Sequence, residues 1–206
     1  MNIVIATRNR GKLQEMNFLF DRFLSHVNDF NLVDLNEFSD IPLIEETGST
    51  FHENAKIKAI TVANYTGLMA IGDDSGLMVD ALGGAPGIFS ARFAREKASD
   101  EENNRLLLSK LEDVPKESRT AQFVCNIAVA LPKNLLGVFE GICHGIISSE
   151  PRGGSGFGYD PLFIRTDSGK SFAELPLDVK NRISHRARAF EKAAVVIERY
   201  IKQFNV

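Results

Sequence analysis

Residues Thr7-Arg8-Asn9-Arg10-Gly11-Lys12-Leu13-Gln14-Glu15 follow an apolar run, Ile3-Val4-Ile5-Ala6, and precede a helix pattern. That order is suited to holding phosphate. A strand delivers a polar loop to a helix N-terminus, where unpaired backbone N–H groups and the positive end of the macrodipole meet an anion and Lys12 adds a full charge. Two acidic pairs, Glu45-Glu46 and Asp73-Asp74, are the candidates for metal chemistry. Magnesium takes oxygen ligands and is usually held by only one or two carboxylates, with water and substrate phosphates completing its shell. Neighbours on an extended backbone face opposite ways, so one member of each pair is expected in a site. Lys56 and Lys58 also diverge on a helix, and at most one is expected to reach a phosphate. Lys180-Asn181-Arg182-Ile183-Ser184-His185-Arg186 gathers three cations and a histidine at what reads as a helix start. Positive side chains there oppose the macrodipole, so an anionic or hydrogen-bond-accepting ligand is the better account of them.

These residues need a frame to position them, and the apolar pattern supplies one. Leu13, Met16, Leu19, Phe20 and Phe23 recur at three- and four-residue steps after the first strand, giving a helix with one apolar face. Thr50-Phe51-His52-Glu53 spells a capping box ahead of a second helix that runs to Gly67, and Ser99-Asp100-Glu101-Glu102 repeats the spelling ahead of a third. Leu68 to Gly72 reads as a short buried strand ending at Asp73-Asp74. Phe123, Cys125, Ile127, Val129 and Leu131 alternate, and a second run spans about Leu136 to Ile147. The pair suggests a long antiparallel arm grafted onto an α/β body. A Gly-rich loop, Gly153 to Pro161, and a last helix from near Ser184 complete a single α/β domain spanning residues 1–206.

The 206 residues carry a formal net charge of -3. A chain of this size buries roughly 70% of its unfolded surface and needs no disulfide or structural metal, so Cys125 and Cys143 read as reduced core thiols. The charge and the lack of basic runs argue against a nucleic-acid surface. No stretch approaches a membrane span, and a cytoplasmic protein is expected.

Six segments in register resemble the inosine triphosphate pyrophosphatase family, the Ham1-type enzymes that cleave non-standard purine nucleoside triphosphates. They are Thr7-x-Asn9-x-x-Lys12-x-x-Glu15; Glu46-Thr47-Gly48-x-Thr50-Phe51-x-x-Asn54-Ala55-x-x-Lys58-Ala59; Asp73-Asp74-Ser75-Gly76-Leu77; Gly83 to Gly87 with Ser90-Ala91-Arg92; Gly156-Phe157-Gly158-Tyr159-Asp160-Pro161; and Ser184-His185-Arg186. The resemblance implies an elongated mixed β-sheet flanked by helices in two lobes, with the nucleotide in the cleft between them, and a homodimer. It implies that Thr7, Arg8, Asn9, Arg10, Gly11 and Lys12 cradle the triphosphate with help from Lys58. Asp74 would bind Mg²⁺ and act as proton acceptor for the water attacking the α-phosphorus. Glu46, with Glu45 in reserve, would be the second metal ligand, and Ser75 would contact the nucleotide.

On the base side the resemblance assigns stacking to Phe157 within the Phe157-Gly158-Tyr159-Asp160 segment, and places Lys180, His185 and Arg186 at the base. Donors aimed at a 6-oxo group would leave the amino group of adenine facing another donor, and unpaired buried polar groups discriminate strongly. The implied reaction converts ITP, dITP or XTP to the monophosphate and pyrophosphate. One departure is Arg8, where relatives often carry a small residue; bulky Arg10 is a lesser one. Two rivals are a Maf-like pyrophosphatase for pyrimidine or modified nucleotides, against which Ser184-His185-Arg186 argues, and a nucleotide sensor without turnover, which has no need of Asp74 and its partner carboxylate. A P-loop kinase lacks its G-x-x-x-x-G-K-[ST] spelling here.

Overall fold

A computed structural model describes residues 1–28, 30–38 and 40–204. In chain order the regular elements are β1 (Asn2–Ile5), α1 (Arg10–Leu24), β2 (Asn31–Asp34), α2 (Phe51–Thr66), β3 (Met69–Val79), α3 (Asp100–Lys110), β4 (Thr120–Leu131), β5 (Asn134–Ile147), β6 (Phe163–Ile164), α4 (Leu177–Ile183) and α5 (His185–Phe204). The strands form one mixed sheet in the order β2-β1-β3-β4-β5-β6. β1 lies parallel to both β2 and β3, each reached through a helix, whereas β5 and β6 are antiparallel. The chain divides into two compact units, residues 1–74, 125–141 and 186–206 in the first and 75–124 and 142–185 in the second.

The first unit is built on the period of two along β1. Ile3 and Ile5 point to the face covered by α1 and α5, packing with Met16, Phe20 and Phe190. Val4 and Ala6 point to the other face and meet Ala55 and Ala59 of α2. Small residues dominate that second face, which lets α2 approach the sheet closely. The closest approach is at Gly72, where an added Cβ would lie 2.3 Å from the Ala55 carbonyl oxygen and 2.7 Å from the Ala59 nitrogen. Because backbone cannot yield as a side-chain tip does, Gly72→Ala is expected to destabilise the fold by about 3 kcal/mol. Urea unfolding with an unchanged midpoint would contradict this.

Three expectations are corrected. The strand read as ending at Asp73-Asp74 continues through both to Val79, so the acidic pair lies in mid-strand. Charged residues are depleted in strands, and only the ion pairs described below make these two tolerable there. The β4–β5 hairpin is not a grafted arm, because β4 sits between β3 and β5 in the sheet and is buried along both faces. Finally, Lys180 and Arg182 do not begin the last helix. They lie in the last turn of α4, a separate seven-residue helix that Ser184 ends in extended conformation, and there the macrodipole favours them.

In the second unit the core gathers Leu77, Val79, Leu107, Phe123, Phe163 and Phe172. Phe123 packs on Phe163 with ring centroids 4.7 Å apart, and the His185 ring stacks on Phe123 at 4.7 Å.

Candidate active site

The first loop folds as a helix entrance. Asn9 caps α1 by accepting the Lys12 N–H at 2.9 Å, and the Asn9 N–H donates to Thr7 Oγ1 at 3.2 Å. The first turn of α1 carries no acidic side chain, which leaves its positive end uncompensated. Arg8 and Arg10 are exposed, and Gly11 and Lys12 are half-buried. An open cavity of about 530 Å³ is lined by Thr7, Arg8, Leu35, Ile41, Glu46 and Lys58, among others.

The two lysines expected to meet phosphate converge on one backbone atom. Lys12 Nζ donates to the Asp73 carbonyl oxygen at 3.3 Å and Lys58 Nζ to the same oxygen at 3.2 Å. Two ammonium groups sharing one acceptor are close enough for a single polyphosphate to bridge. Their carboxylate partners differ, as the alternation of a strand requires. Lys12 pairs with Asp73 at 2.7 Å, while Lys58 pairs with Asp74 and Glu46, each at 2.7 Å. Lys56 is exposed, and Glu45 is exposed where Glu46 is half-buried, so each pair of neighbours is resolved by direction. Glu46 is aimed by the turn behind it. The Gly48 N–H donates to Asn54 Oδ1 at 2.8 Å, and a Cβ at Gly48 would collide with that oxygen at 2.7 Å. The Thr50 cap is half a capping box: Thr50 Oγ1 accepts from the Glu53 N–H, but the Glu53 carboxylate turns to Ser49.

Asp73 is fully buried and also accepts from Arg186 Nε at 2.6 Å, while Arg186 Nη1 donates to Glu15. Burial pushes the Asp73 carboxyl up, but Arg186 and Lys12 prevail and hold it well below the usual carboxylate range. The Cys125 thiol donates to Asp73 at 3.5 Å; burial and that carboxylate push it well above the ordinary thiol range. Asp74 moves the other way. Burial raises it, Lys58 and Lys12 oppose, Glu46 adds to the rise, and the carboxyl titrates above its ordinary value. The same neighbours act on Lys58, where burial favours the neutral amine but Asp74 and Glu46 raise its affinity for the proton. Adjacent carboxylates on one strand are thus driven apart in acidity by their partners, Asp73 towards a permanent anion and Asp74 towards a proton acceptor.

The cations expected to await phosphate are therefore engaged with carboxylates. Lys12, Lys58 and Arg186 face Asp73, Asp74, Glu46 and Glu15, three cations to four anions. Such a set gains an excess of positive charge for a triphosphate only with an added cation. The Asp74 and Glu46 oxygens that share Lys58 Nζ are a two-carboxylate donor set of the kind Mg²⁺ uses alongside substrate phosphates. Among the described residues no group of three or more His, Cys, Asp or Glu side chains forms a fuller metal cage.

The base-side residues lie mostly in the second unit. Asp160 accepts from the Phe157 N–H at 2.9 Å and from Lys180 Nζ, and both Asp160 and Lys180 are buried. Lys180 Nζ stands 4.9 Å from the centroid of the half-buried Phe157 ring. The Tyr159 hydroxyl donates to the Ser90 carbonyl oxygen at 2.8 Å. Ser75 follows Asp74 on β3 and is half-buried, and His185 is buried against Phe123. Arg186 lies in the first unit with its guanidinium held by two carboxylates. Sequence reasoning missed Glu15 as a member of the charge cluster, although its position three residues after Lys12 on α1 was a signal. No local signal points to Asp100 and Asn104, whose contacts are taken up below.

The mixed six-stranded α/β sheet carries a converging lysine pair and an acidic pair in mid-strand, an arrangement suited to a polyphosphate and a divalent cation. The Ham1 family model matches residues 3–196, and the chain belongs to that family. A dITP/XTP pyrophosphatase of Geobacter sulfurreducens is 53% identical over 91% of this chain and 92% of its own length, and one of Desulforamulus reducens is 47% identical over 98% and 99%. Among solved structures, a HAM1 protein from Coxiella burnetii superposes with a TM-score of 0.84 at 42% identity, covering 96% of this chain and 98% of that one.

Proposed function

We propose that this protein hydrolyses the triphosphates of deaminated purines, ITP, dITP and XTP, to the nucleoside monophosphate and pyrophosphate. The named activity of the relatives supports the reading. The observation that carries it is the convergence of Lys12 and Lys58 on the Asp73 carbonyl, with the Asp74 carboxylate pushed up in pKa beside them.

The residues 7–12 and Lys58 hold the polyphosphate, the loop through backbone N–H groups at the start of α1 and the lysines through charge. Asp74 takes the proton of the attacking water. The new P–O bond forms at the α-phosphorus, the bond from that phosphorus to the bridging oxygen breaks, and pyrophosphate leaves with the electron pair. Asp74 and Glu46 would hold Mg²⁺, which would supply neutralisation of the charge that develops on the phosphates. Lys58, between the two carboxylates, is placed to meet a phosphate oxygen. Hydrolysis in ¹⁸O-enriched water tests the position of attack. Label is expected in the monophosphate, and label in pyrophosphate would overturn the assignment.

Phe157 stacks on the purine, Ser75 contacts the nucleotide, and Lys180 and His185 are the donors that favour a 6-oxo group over adenine, whereas Arg186, expected beside them, is buried and committed to Asp73 and Glu15. Phe157→Ala is expected to raise KM for ITP about tenfold, within the range for loss of a stacked base. Inhibition by inorganic tripolyphosphate, which has no base, should be unchanged; equal weakening of both would contradict stacking. The same reading includes a cytoplasmic homodimer acting on free nucleotides rather than nucleic acid. Phe89, 55% exposed near the apolar Gly83–Gly87 turn, supports an interface there, and the net charge of -3 supports a free nucleotide. No helix among the described residues is long and apolar enough to cross a membrane.

A further inference from the structure

Gly158, the residue after Phe157, is gripped from both sides by one helix. The Gly158 N–H donates to Asp100 Oδ2 at 2.6 Å, and the Gly158 carbonyl oxygen accepts from Asn104 Nδ2 at 3.0 Å. Asp100 and Asn104 stand one turn apart on the same face of α3, a spacing that puts an acceptor and a donor side by side. Gly158 has φ +62°, a left-handed conformation that glycine adopts without strain, so the turn alone does not fix the neighbouring ring. Asp100 is exposed, and water satisfies an exposed N–H almost as well as a carboxylate does, so the Asp100 bond contributes little to stability, whereas Asn104 is buried. What it does constrain is orientation. With Asp160 holding the Phe157 N–H and Asp100 and Asn104 holding the N–H and the carbonyl of the next residue, the backbone on either side of the Phe157 side chain is tied down.

We propose that Asp100 and Asn104 are positioning residues for purine recognition: acting through Gly158, they set the plane of the Phe157 ring against which the base stacks. The inference rests on the reading of Phe157 as the base platform. Neither side chain is asked to touch the nucleotide or the reacting phosphate, so their removal should act on nucleotide affinity and not on the chemical step.

The test compares KM and kcat for ITP with inhibition by inorganic tripolyphosphate in Asp100→Ala, Asn104→Asp and Asp100→Asn. Asp100→Ala removes the acceptor, and Asn104→Asp sets a carboxylate against the Gly158 carbonyl at constant size. Asp100→Asn keeps an acceptor oxygen in place. The first two are expected to raise KM for ITP about tenfold with kcat within about twofold, tripolyphosphate inhibition being unchanged. Asp100→Asn should return KM to near the parent value. A merely structural role would instead lower thermal stability in Asp100→Ala and weaken ITP and tripolyphosphate together there, without rescue by Asn, and that result overturns the proposal. So does an unchanged KM in Asp100→Ala and Asn104→Asp. Phe157→Ala measured alongside separates the two failures: if it raises KM while the α3 variants do not, the positioning role alone falls, and if it too leaves KM unchanged, the base platform falls with it.

Discussion

Asp74→Asn is expected to lower kcat for ITP by about 10³-fold, the middle of the range for loss of a general base, while the protein stays folded. The substitution is nearly isosteric. Lys58 keeps Glu46 at 2.7 Å and the Asp73 carbonyl at 3.2 Å, so no buried ammonium is stranded. What disappears is the proton acceptor whose pKa burial had raised. Thermal unfolding should therefore move little while turnover collapses. Turnover within tenfold of the parent would remove Asp74 from the proposed role. A collapse of both would mean that the residue is structural.

The largest effect on stability is expected at Arg186. Its guanidinium is 1% exposed and bridges Asp73, on β3, and Glu15, on α1. Arg186→Met preserves much of the volume but withdraws the charge from two buried carboxylates. Removing one partner of a buried ion pair typically costs about 3–5 kcal/mol, a midpoint shift on the order of 10 °C for a chain of this size. The pH dependence should also change. In the parent, Asp73 has its pKa depressed, so its contribution is complete above the ordinary carboxylate value of about 3.9 and fades only as pH falls through the depressed one. In the variant Lys12 alone still opposes burial at Asp73, so the folded pKa moves up from its depressed position. The stability that depended on the depressed value is then missing at every pH above it. Urea unfolding at about pH 2 and about pH 6 should show the deficit growing with pH. A deficit that is constant or shrinks with pH would show that the guanidinium is not what holds these carboxylates ionised.

What was legible in the chain follows the range of the interactions. The loop that delivers Lys12 to α1, the Ser99 capping box and the Gly67 stop are set by residues within one turn of one another, and the sequence pattern declares them. The opposed directions of Asp73 and Asp74 follow from the pleat of any strand. The length of β3 was not legible, because two adjacent aspartates look like a strand end until Lys12, Lys58 and Arg186 are known to neutralise them. The partner at Arg186 is 113 residues away from Asp73, and 171 from Glu15. The same holds for Lys180. Read along the chain it joined a basic run at a helix start. In the fold it lies in the last turn of α4 and is buried against Asp160 and Phe157, while Arg186 belongs to the other unit. Asp100 carried only helix-start chemistry in the sequence, and Asn104 carried no signal. Their second use depends on a loop more than fifty residues later, at Gly158.

The most direct test is product analysis on ITP, XTP, dITP, ATP, GTP and dTTP, each with and without Mg²⁺. The account predicts metal-dependent conversion of ITP, XTP and dITP to monophosphate and pyrophosphate, with ATP, GTP and dTTP largely spared. Release of orthophosphate with a nucleoside diphosphate, or turnover confined to dTTP, would contradict it.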